Sequence, residues 1–362
     1  MNSLSKLIKY KLYYLFGFPK TFPMNFTLGL TYRCNSKCKT CNIWKKKKSD
    51  AELSLQEFEQ IFKKIGKNKL YLLILTGGET FLHKDIDNVC GYAEKYCEPS
   101  SIVIPTNAIL GDYVVEKTKL ILEKCKKTHV TINLSLDGIG KKQDEMRGVP
   151  GNFKKTMMVY EELKKLEKAH KNFDVSLHTV ISKFNYDDFE EIFAYVTQKL
   201  KPENYITEIA ENRQELGNMN DDITLTYEEY SLKINFLIKD LAKKKNLNAK
   251  QALRLEYYKV VKEILKKKTQ VIPCYAGIAS AQIDALGEVW FCCVRAESIG
   301  NIRDVDYNLM ELWYNKKAMK QRKSIKNKEC YCPLASASYT NIVLSSINSL
   351  KTAFGFIMSR IR

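Results

Sequence analysis

Phe26–Cys41 reads FTLGLTYRCNSKCKTC. Its opening, FTLGL (26–30), is a short apolar run, as expected of a strand buried on both faces. Three cysteines follow directly in CxxxCxxC spacing: Cys34, Cys38 and Cys41. Three thiolates within eight residues can wrap one compact metal centre and hold three corners of a cubane iron–sulfur cluster. The segment has no thiolate for the fourth corner, and an open coordination position marks catalytic more than structural metals. Three cysteines alone leave a structural zinc site, or no metal at all, open as alternatives. The loop also follows the C-terminal end of a strand, where ligands bind in parallel α/β sheets and barrels.

Outward from this loop, strand-like and helix-like segments alternate. Ser54 and Glu57 form a capping box that opens an amphipathic helix to about Ile65. The further strands expected are YLLILT (71–76), SIVIPT (101–106), HVTINLSLD (129–137), DVSLHTVIS (174–182) and NYITEIA (204–210). Helices are expected over 86–96, 111–126, 152–170 and 186–200. One strand recurs about every 30 residues, the spacing of βαβ crossovers in a parallel sheet. The fold class expected is therefore α/β: an open or partial (β/α)6 TIM-like barrel. Two Lys-rich helices follow over 227–244 and 248–267, the first opened by Thr226 and Glu229 and read as the sixth barrel helix. Cys274–Cys332 then holds five of the eleven cysteines and reads as a small β-hairpin and helix module, with Gly287 in the hairpin turn.

The strand ends carry more than cysteines. The second strand ends in Thr76-Gly77-Gly78-Glu79, the third in Pro105-Thr106-Asn107, and the fourth in Ser135-Leu136-Asp137-Gly138, followed by Asp144 to Gly148. In this order, behind a CxxxCxxC loop, they resemble the radical S-adenosylmethionine (SAM) enzymes, with their GGE, TN and SLDG…HDxxRG stretches. Gln143 replaces the usual His, and Thr40 the aromatic before the third cysteine. The resemblance spans about residues 25–335. It implies a 4Fe–4S cluster on Cys34, Cys38 and Cys41 that reductively cleaves SAM to a 5′-deoxyadenosyl radical. It implies that Gly77, Gly78 and Glu79 meet the SAM amino group. Thr106 and Asn107 join the cofactor site, and Ser135 and Arg147 face the SAM carboxylate or ribose. The chemistry suits these roles: glycines admit close backbone approach, Glu79 offers a carboxylate to an ammonium, and Arg147 forks onto a carboxylate.

The cysteine-rich region resembles the SPASM and Twitch extensions. Cys274-Tyr-Ala-Gly277, Gly287…Cys292, Gly300-Asn-Ile302 and Leu309…Trp313 carry that resemblance. It implies one auxiliary 4Fe–4S cluster on Cys274, Cys292, Cys330 and Cys332, with Cys293 in reserve. Cys330-Tyr-Cys332 departs from the more usual CxxC. Cys90, Cys97 and Cys125 read as small buried hydrophobes. His178, on the fifth strand, reads as a barrel-lining or packed histidine.

Composition narrows the alternatives. The chain has 362 residues, 45% hydrophobic and 28% charged, the balance of a folded protein. Eleven cysteines in a long chain argue against a disulfide scaffold. No secretory signal and no apolar run of membrane-spanning length is evident. The net charge of +18 is spread along the chain, with one dense run, Lys45 to Lys48, and reads as a solvated surface more than a nucleic-acid site.

The two ends lack acids. Leu4, Leu7, Ile8, Leu12, Leu15 and Phe16 recur at helical spacing among Lys6, Lys9 and Lys11, with Lys20 beyond. Val343, Ile347, Leu350, Phe354, Ile357 and Ile361 form a stripe beside Lys351, Arg360 and Arg362. Basic amphipathic helices of this kind suit an anionic membrane surface or a protein partner.

The expected organisation is a basic amphipathic segment (1–24), a partial barrel (25–245), a helical linker (246–270), an auxiliary-cluster module (271–335) and an amphipathic C-terminal helix (336–362). The resemblance implies a cytoplasmic enzyme with a ferredoxin- or flavodoxin-like electron donor, with a place on the inner membrane face as the terminal segments' contribution. The substrate is a peptide or protein, or a lipid or sugar-type metabolite. No peptide-recognition domain is expected ahead of the barrel. A non-catalytic iron–sulfur protein that binds membrane or nucleic acid is the reading from a different class.

Overall fold

The computed structural model describes residues 3–46, 49–66 and 70–361. Lys47 and Lys48 of the basic run, and Arg362, lie outside the described residues, as do the side chains of Leu4 and Ile361. Helix α1 (Ser3–Phe16) comes first. Strands and helices then alternate: β1 (Asn25–Thr31), α2 (Leu55–Ile65), β2 (Leu72–Gly77), α3 (Ile86–Cys97), β3 (Ser101–Thr106), α4 (Asp112–Lys124), β4 (His129–Ser135), α5 (Lys141–Arg147), α6 (Asn152–Ala169), β5 (Phe173–Ile181), α7 (Phe189–Ala194) and β6 (Asn204–Ile209). Next come α8 (Tyr227–Lys243), α9 (Ala249–Lys267), β7 (Ser280–Ile283), β8 (Glu288–Trp290) and β9 (Ser298–Asn301). Helices α10 (Leu309–Trp313), α11 (Lys316–Lys326), α12 (Ala335–Leu344) and α13 (Ser346–Ile361) follow.

The strands form one open sheet in the order β6-β5-β4-β3-β2-β1-β7-β8-β9. β1 to β6 run parallel, each paired with its successor, so the α/β partial-barrel expectation holds. Parallel neighbours need crossover helices, which cover the sheet and bury its apolar strands. Leu28, Leu75, Ile104, Ile132 and Leu177 are accordingly buried. The hairpin strands β7 to β9 are antiparallel and extend this sheet beyond β1. Gly29 permits that approach, since a Cβ there would stand 2.8 Å from the Ala285 nitrogen.

Several elements differ from expectation for identifiable reasons. Short helix α5 fills the stretch after β4, between Gly140 and Gly148, both at positive φ. α7 passes into a wider π-helical turn over Tyr195–Leu200. The single C-terminal helix expected over 336–362 is two helices, bent by 93°. Ser345 is extended there, and the Ser349 hydroxyl donates to the Val343 carbonyl at 2.8 Å, serving a helix end that would otherwise lack a partner. No single helix among the described residues is long and apolar enough to cross a membrane; the bent pair passes that test only together.

The chain divides into two compact units that do not follow the sequence in order. One contains the sheet: Pro23–Ile223 and Ala281–Asn315. The other joins Met1–Phe22, Thr224–Ser280 and Lys316–Arg362. α8, expected as a barrel helix, belongs to this second unit, where it pairs with α9. Both start with capping boxes, Thr226 with Glu229 and Asn248 with Gln251. The α8–α9 turn is fastened to α13: Asn246 N and Leu247 N donate to the carbonyl and hydroxyl of Ser359 at 2.9 and 3.0 Å.

Candidate active site

The cysteine loop after β1 is seated on three sides. Lys37 N and Lys39 N donate to the Arg147 and Met146 carbonyls at 2.9 and 3.0 Å, and the Ser36 hydroxyl donates to Arg147 O at 2.7 Å. Gly148 leaves room for this seat: its φ is +63°, and a Cβ would meet Lys37 O at 2.7 Å. On the second side, Asn42 N donates to Leu216 O at 3.0 Å, and Asn218 Nδ2 donates to Thr40 O at 2.9 Å. On the third, Gly78 N and Glu79 N donate to Thr31 O and Arg33 O at 2.7 and 2.9 Å.

The paired glycines owe their identity to this last contact. A Cβ on Gly77 would lie 2.2 Å from Thr31 O, and one on Gly78 2.1 Å from Arg33 O. Sequence reading assigned the close approach to a ligand. The neighbour found is the chain itself, at the lead-in to the cysteines.

Glu79, Thr106 and Asn107 form one buried network. Glu79 Oε1 accepts from the Thr106 hydroxyl at 2.6 Å, and Oε2 accepts from Asn107 N at 2.8 Å. Burial pushes the Glu79 carboxyl above its ordinary range, against the Asn107, Thr106 and Phe81 donors and the Arg147 charge. Asn107 Nδ2 donates to Asn35 Oδ1 at 2.8 Å, tying the end of β3 to the cysteine loop.

Ser135 ends β4, half-buried. Its carbonyl accepts from Gln143 Nε2 at 3.1 Å, while Gln143 Oε1 accepts from Asp137 N at 2.7 Å. Gln143, at the position where a His was the usual residue, thus bridges β4 to α5. Arg147 pairs with the buried Asp137 carboxylate, and its Nη1 lies 3.6 Å from Cys38 Sγ. The guanidinium therefore stands at the cysteine loop itself, and its Nε is buried with no partner.

The three sulfurs share one environment. Burial pushes the Cys34 thiol up to about 12, with the charges of Cys38, Glu79 and Cys41 adding to it against a Ser36 N–H bond. Burial likewise pushes Cys41 up to about 11; Cys38 and Glu215 add to it, and the Ile43 N–H and Arg147 oppose. The Ser36 hydroxyl lies 3.1 Å from Cys38 Sγ. Among the described residues no three His, Cys, Asp or Glu side chains approach closely enough for a single metal ion. Three thiols in CxxxCxxC spacing on one loop, without a fourth ligand, are the donor set of an iron–sulfur cluster.

The second cysteine group is distributed differently. Cys274, Cys330 and Cys332 lie in the unit of α8 and α9, Cys292 and Cys293 in the sheet unit. In the former, burial raises the Cys274 thiol; the Ala276 N–H and Asn341 oppose it, and the Cys330 charge adds to it. Gln270 Nε2 bridges the Ile325 and Cys330 carbonyls at 2.9 and 2.8 Å and stands 3.9 Å from Cys330 Sγ. Cys90, Cys97 and Cys125 are buried, as expected of packing residues.

Sequence reading passed over the segment after β6. Asn218 there joins the cysteine loop to this segment: its Nδ2 donates to Thr40 O at 2.9 Å and to Glu211 O at 3.4 Å, and its Oδ1 accepts from Arg213 N at 2.7 Å. The segment's signal was available: ENRQE, a charged run directly after a strand, at the same sheet end as the other motifs.

Comparison with known proteins agrees with this geometry. The profile of the radical SAM superfamily matches residues 28–196, and that of the SPASM iron–sulfur cluster-binding domain matches 274–333. AdoMet-dependent heme synthase of Methanosarcina barkeri is 22% identical over 301 residues, 79% of this chain and 80% of that protein. The antilisterial bacteriocin subtilosin biosynthesis protein AlbA of Bacillus subtilis is 28% identical over 135 residues. That match takes in 37% of this chain and 29% of AlbA, so the chain spans under a third of that relative. Streptococcus suis SuiB bound to precursor peptide SuiA shares the fold at a TM-score of 0.62 and 17% identity, over 89% of this chain and 70% of that one.

Proposed function

This chain belongs to the radical SAM superfamily and carries a SPASM-type iron–sulfur domain, and we propose that it modifies a peptide by radical chemistry. The cofactors of that class are SAM and 4Fe–4S clusters. When bound, they supply one-electron cleavage of SAM and a 5′-deoxyadenosyl radical that takes a hydrogen atom from the substrate. The chain's own residues do the rest. Cys34, Cys38 and Cys41 hold the catalytic cluster. Gly77, Gly78, Glu79, Thr106, Asn107, Ser135 and Arg147 surround the SAM site, and Arg147 places a fixed positive charge beside Cys38. Cys274, Cys330 and Cys332, which lie in one unit, supply thiolates to the auxiliary cluster.

One observation carries this reading. The cysteine loop and the ends of β2 and β3 meet in one hydrogen-bond network, from Asn35 through Asn107 to Glu79. A peptide substrate is supported by AlbA, a bacteriocin biosynthesis protein, and by SuiB, seen with a precursor peptide. The electron donor is a ferredoxin or flavodoxin. The test is anaerobic reconstitution with iron and sulfide, then reductant and SAM. We expect 5′-deoxyadenosine from the wild type and background from Cys34→Ala; equal yields from both would reject the enzyme reading in favour of a non-catalytic iron–sulfur protein.

A peripheral place on the cytoplasmic membrane face is the second part of the proposal. Leu15 and Phe16 on α1, and Ile347, Leu350, Phe354 and Ile357 on α13, are more than half exposed, and neither helix carries an acid. Apolar faces rimmed by Lys and Arg bind anionic lipid. A lipid or sugar-linked substrate is favoured to the extent that this face works. Leu350→Asp with Phe354→Asp should abolish sedimentation with phosphatidylglycerol vesicles; unchanged sedimentation rejects the membrane contact.

A further inference from the structure

The segment leaving β6 buries charge that the proposed chemistry does not use. Glu211 and Glu215 are each 8% exposed. Arg213 spends its Nε and Nη2 on one atom, Glu211 Oε1, at 3.0 and 2.7 Å. Glu211 Oε2 is buried and accepts no hydrogen bond. Glu215 Oε1 accepts from Gln282 Nε2 at 2.7 Å, and its backbone N–H donates to Cys293 O at 3.3 Å. Asp284, buried on the turn after β7, accepts from the Tyr32 hydroxyl at 2.7 Å. Lys46 lies over the Tyr32 ring, 3.9 Å from its centre.

Arg213 thus faces Glu211 and Glu215, while Lys46 and Arg303 face Asp284. Glu208 adds a fourth acid near Glu211, with His178 Nε2 at 3.6 Å from it. A carboxylate oxygen taken out of water without a donor is costly, and it is relieved by a proton or by an incoming cation. Burial raises the Glu211 and Glu215 carboxyls, the sign of that unmet cost. The location argues for a ligand. Leu216 O accepts from Asn42 N beside Cys41, and Asn218 Nδ2 donates both to Thr40 O at 2.9 Å and to Glu211 O at 3.4 Å.

We propose that Glu211, with Glu215 beside it, binds a cationic group of the substrate, a protonated amine or a guanidinium, next to the catalytic cysteine loop. This rests on the radical SAM reading for the site's purpose, though not for its charge. In a peptide the group is a Lys or Arg side chain or a free N-terminus. Glu211 Oε2 takes one N–H, and Arg213 keeps the carboxylate oriented. The two glutamates are positioning and specificity residues; neither touches a reacting atom.

The test uses the full chain, anaerobically reconstituted, with SAM present. The probes are Nα-acetyl-lysinamide and Nα-acetyl-argininamide against the neutral isostere Nα-acetyl-norleucinamide, with binding read from broadening of probe proton resonances. We expect the basic probes to bind at least about tenfold more tightly, the scale set by one buried charge partner. Glu211→Gln should remove that preference, Glu211→Asp should keep part of it, and Glu215→Gln should weaken it. Equal binding of basic and neutral probes, or a preference that survives Glu211→Gln, overturns the proposal. Formation of 5′-deoxyadenosine by the wild type in the same samples separates the two readings. Product without a preference for basic probes defeats the cation site alone; preference without product defeats the chemistry alone.

Discussion

The two cysteine groups are built in opposite ways. Cys34, Cys38 and Cys41 sit within eight residues, and backbone bonds from α5, β2 and the segment after β6 clamp them in place. Cys274 and Cys330 are 56 positions apart, each held by a different partner: Gln270 Nε2 donates to Cys330 O, and Tyr275 N, next to Cys274, donates to Asn341 Oδ1. The first group needs only a short loop of the right shape. The second draws on residues far apart in the chain within one folded unit. A catalytic centre with one open corner gains from a rigid, locally specified cradle. An auxiliary centre can depend on the fold around it.

Substitutions at three positions probe this contrast, from the largest effect down. Gly78→Ala pushes a methyl into Arg33 O and should destabilise the sheet unit by about 3 kcal/mol, the upper range for overpacking. The urea midpoint measures it, and an unchanged midpoint would show that the β2–loop contact is loose. Gln143→Ala removes the bridge that sets Asp137 and Arg147. It should lower 5′-deoxyadenosine formation about tenfold with iron content near wild type, as loss of outer-shell partners does. Gln143→His, which restores the more usual residue, should retain most activity; a tenfold loss there would place the bridge's importance in the amide. Cys274→Ser should cut bound iron roughly in half, from about eight to about four per chain, since each cubane holds four. Retention of all the iron would mean that Cys274 holds no cluster.

The local motifs were legible because each is short and lies at a strand end. CxxxCxxC, GGE, TN and SLDG appear in chain order, and the parallel sheet brings its strand ends to one side by construction. The capping box at Ser54 and Glu57 was legible for the same reason, being closed within one turn. The reasons for particular residues were less legible. Gly77 and Gly78 looked like ligand contacts and are required by a backbone neighbour over 40 positions away. The break at Ser345 was hidden under an unbroken apolar stripe, because periodicity reports which face is apolar and not whether the axis continues. The Glu211–Arg213–Glu215 cluster was missed because its meaning depends on burial, which charge patterning does not report.

By itself the sequence determined the α/β class, the parallel sheet built from repeated crossovers, and the close CxxxCxxC spacing of Cys34, Cys38 and Cys41. These follow from period, spacing and local hydrogen bonds, which act within a few residues of each other. Only the tertiary structure decided that β7 to β9 extend the main sheet and that Arg147 turns onto Cys38. It also decided that one carboxylate oxygen of Glu211 is buried without a donor. Those outcomes depend on which distant surfaces are excluded from water together, a condition the whole chain satisfies and no short segment can.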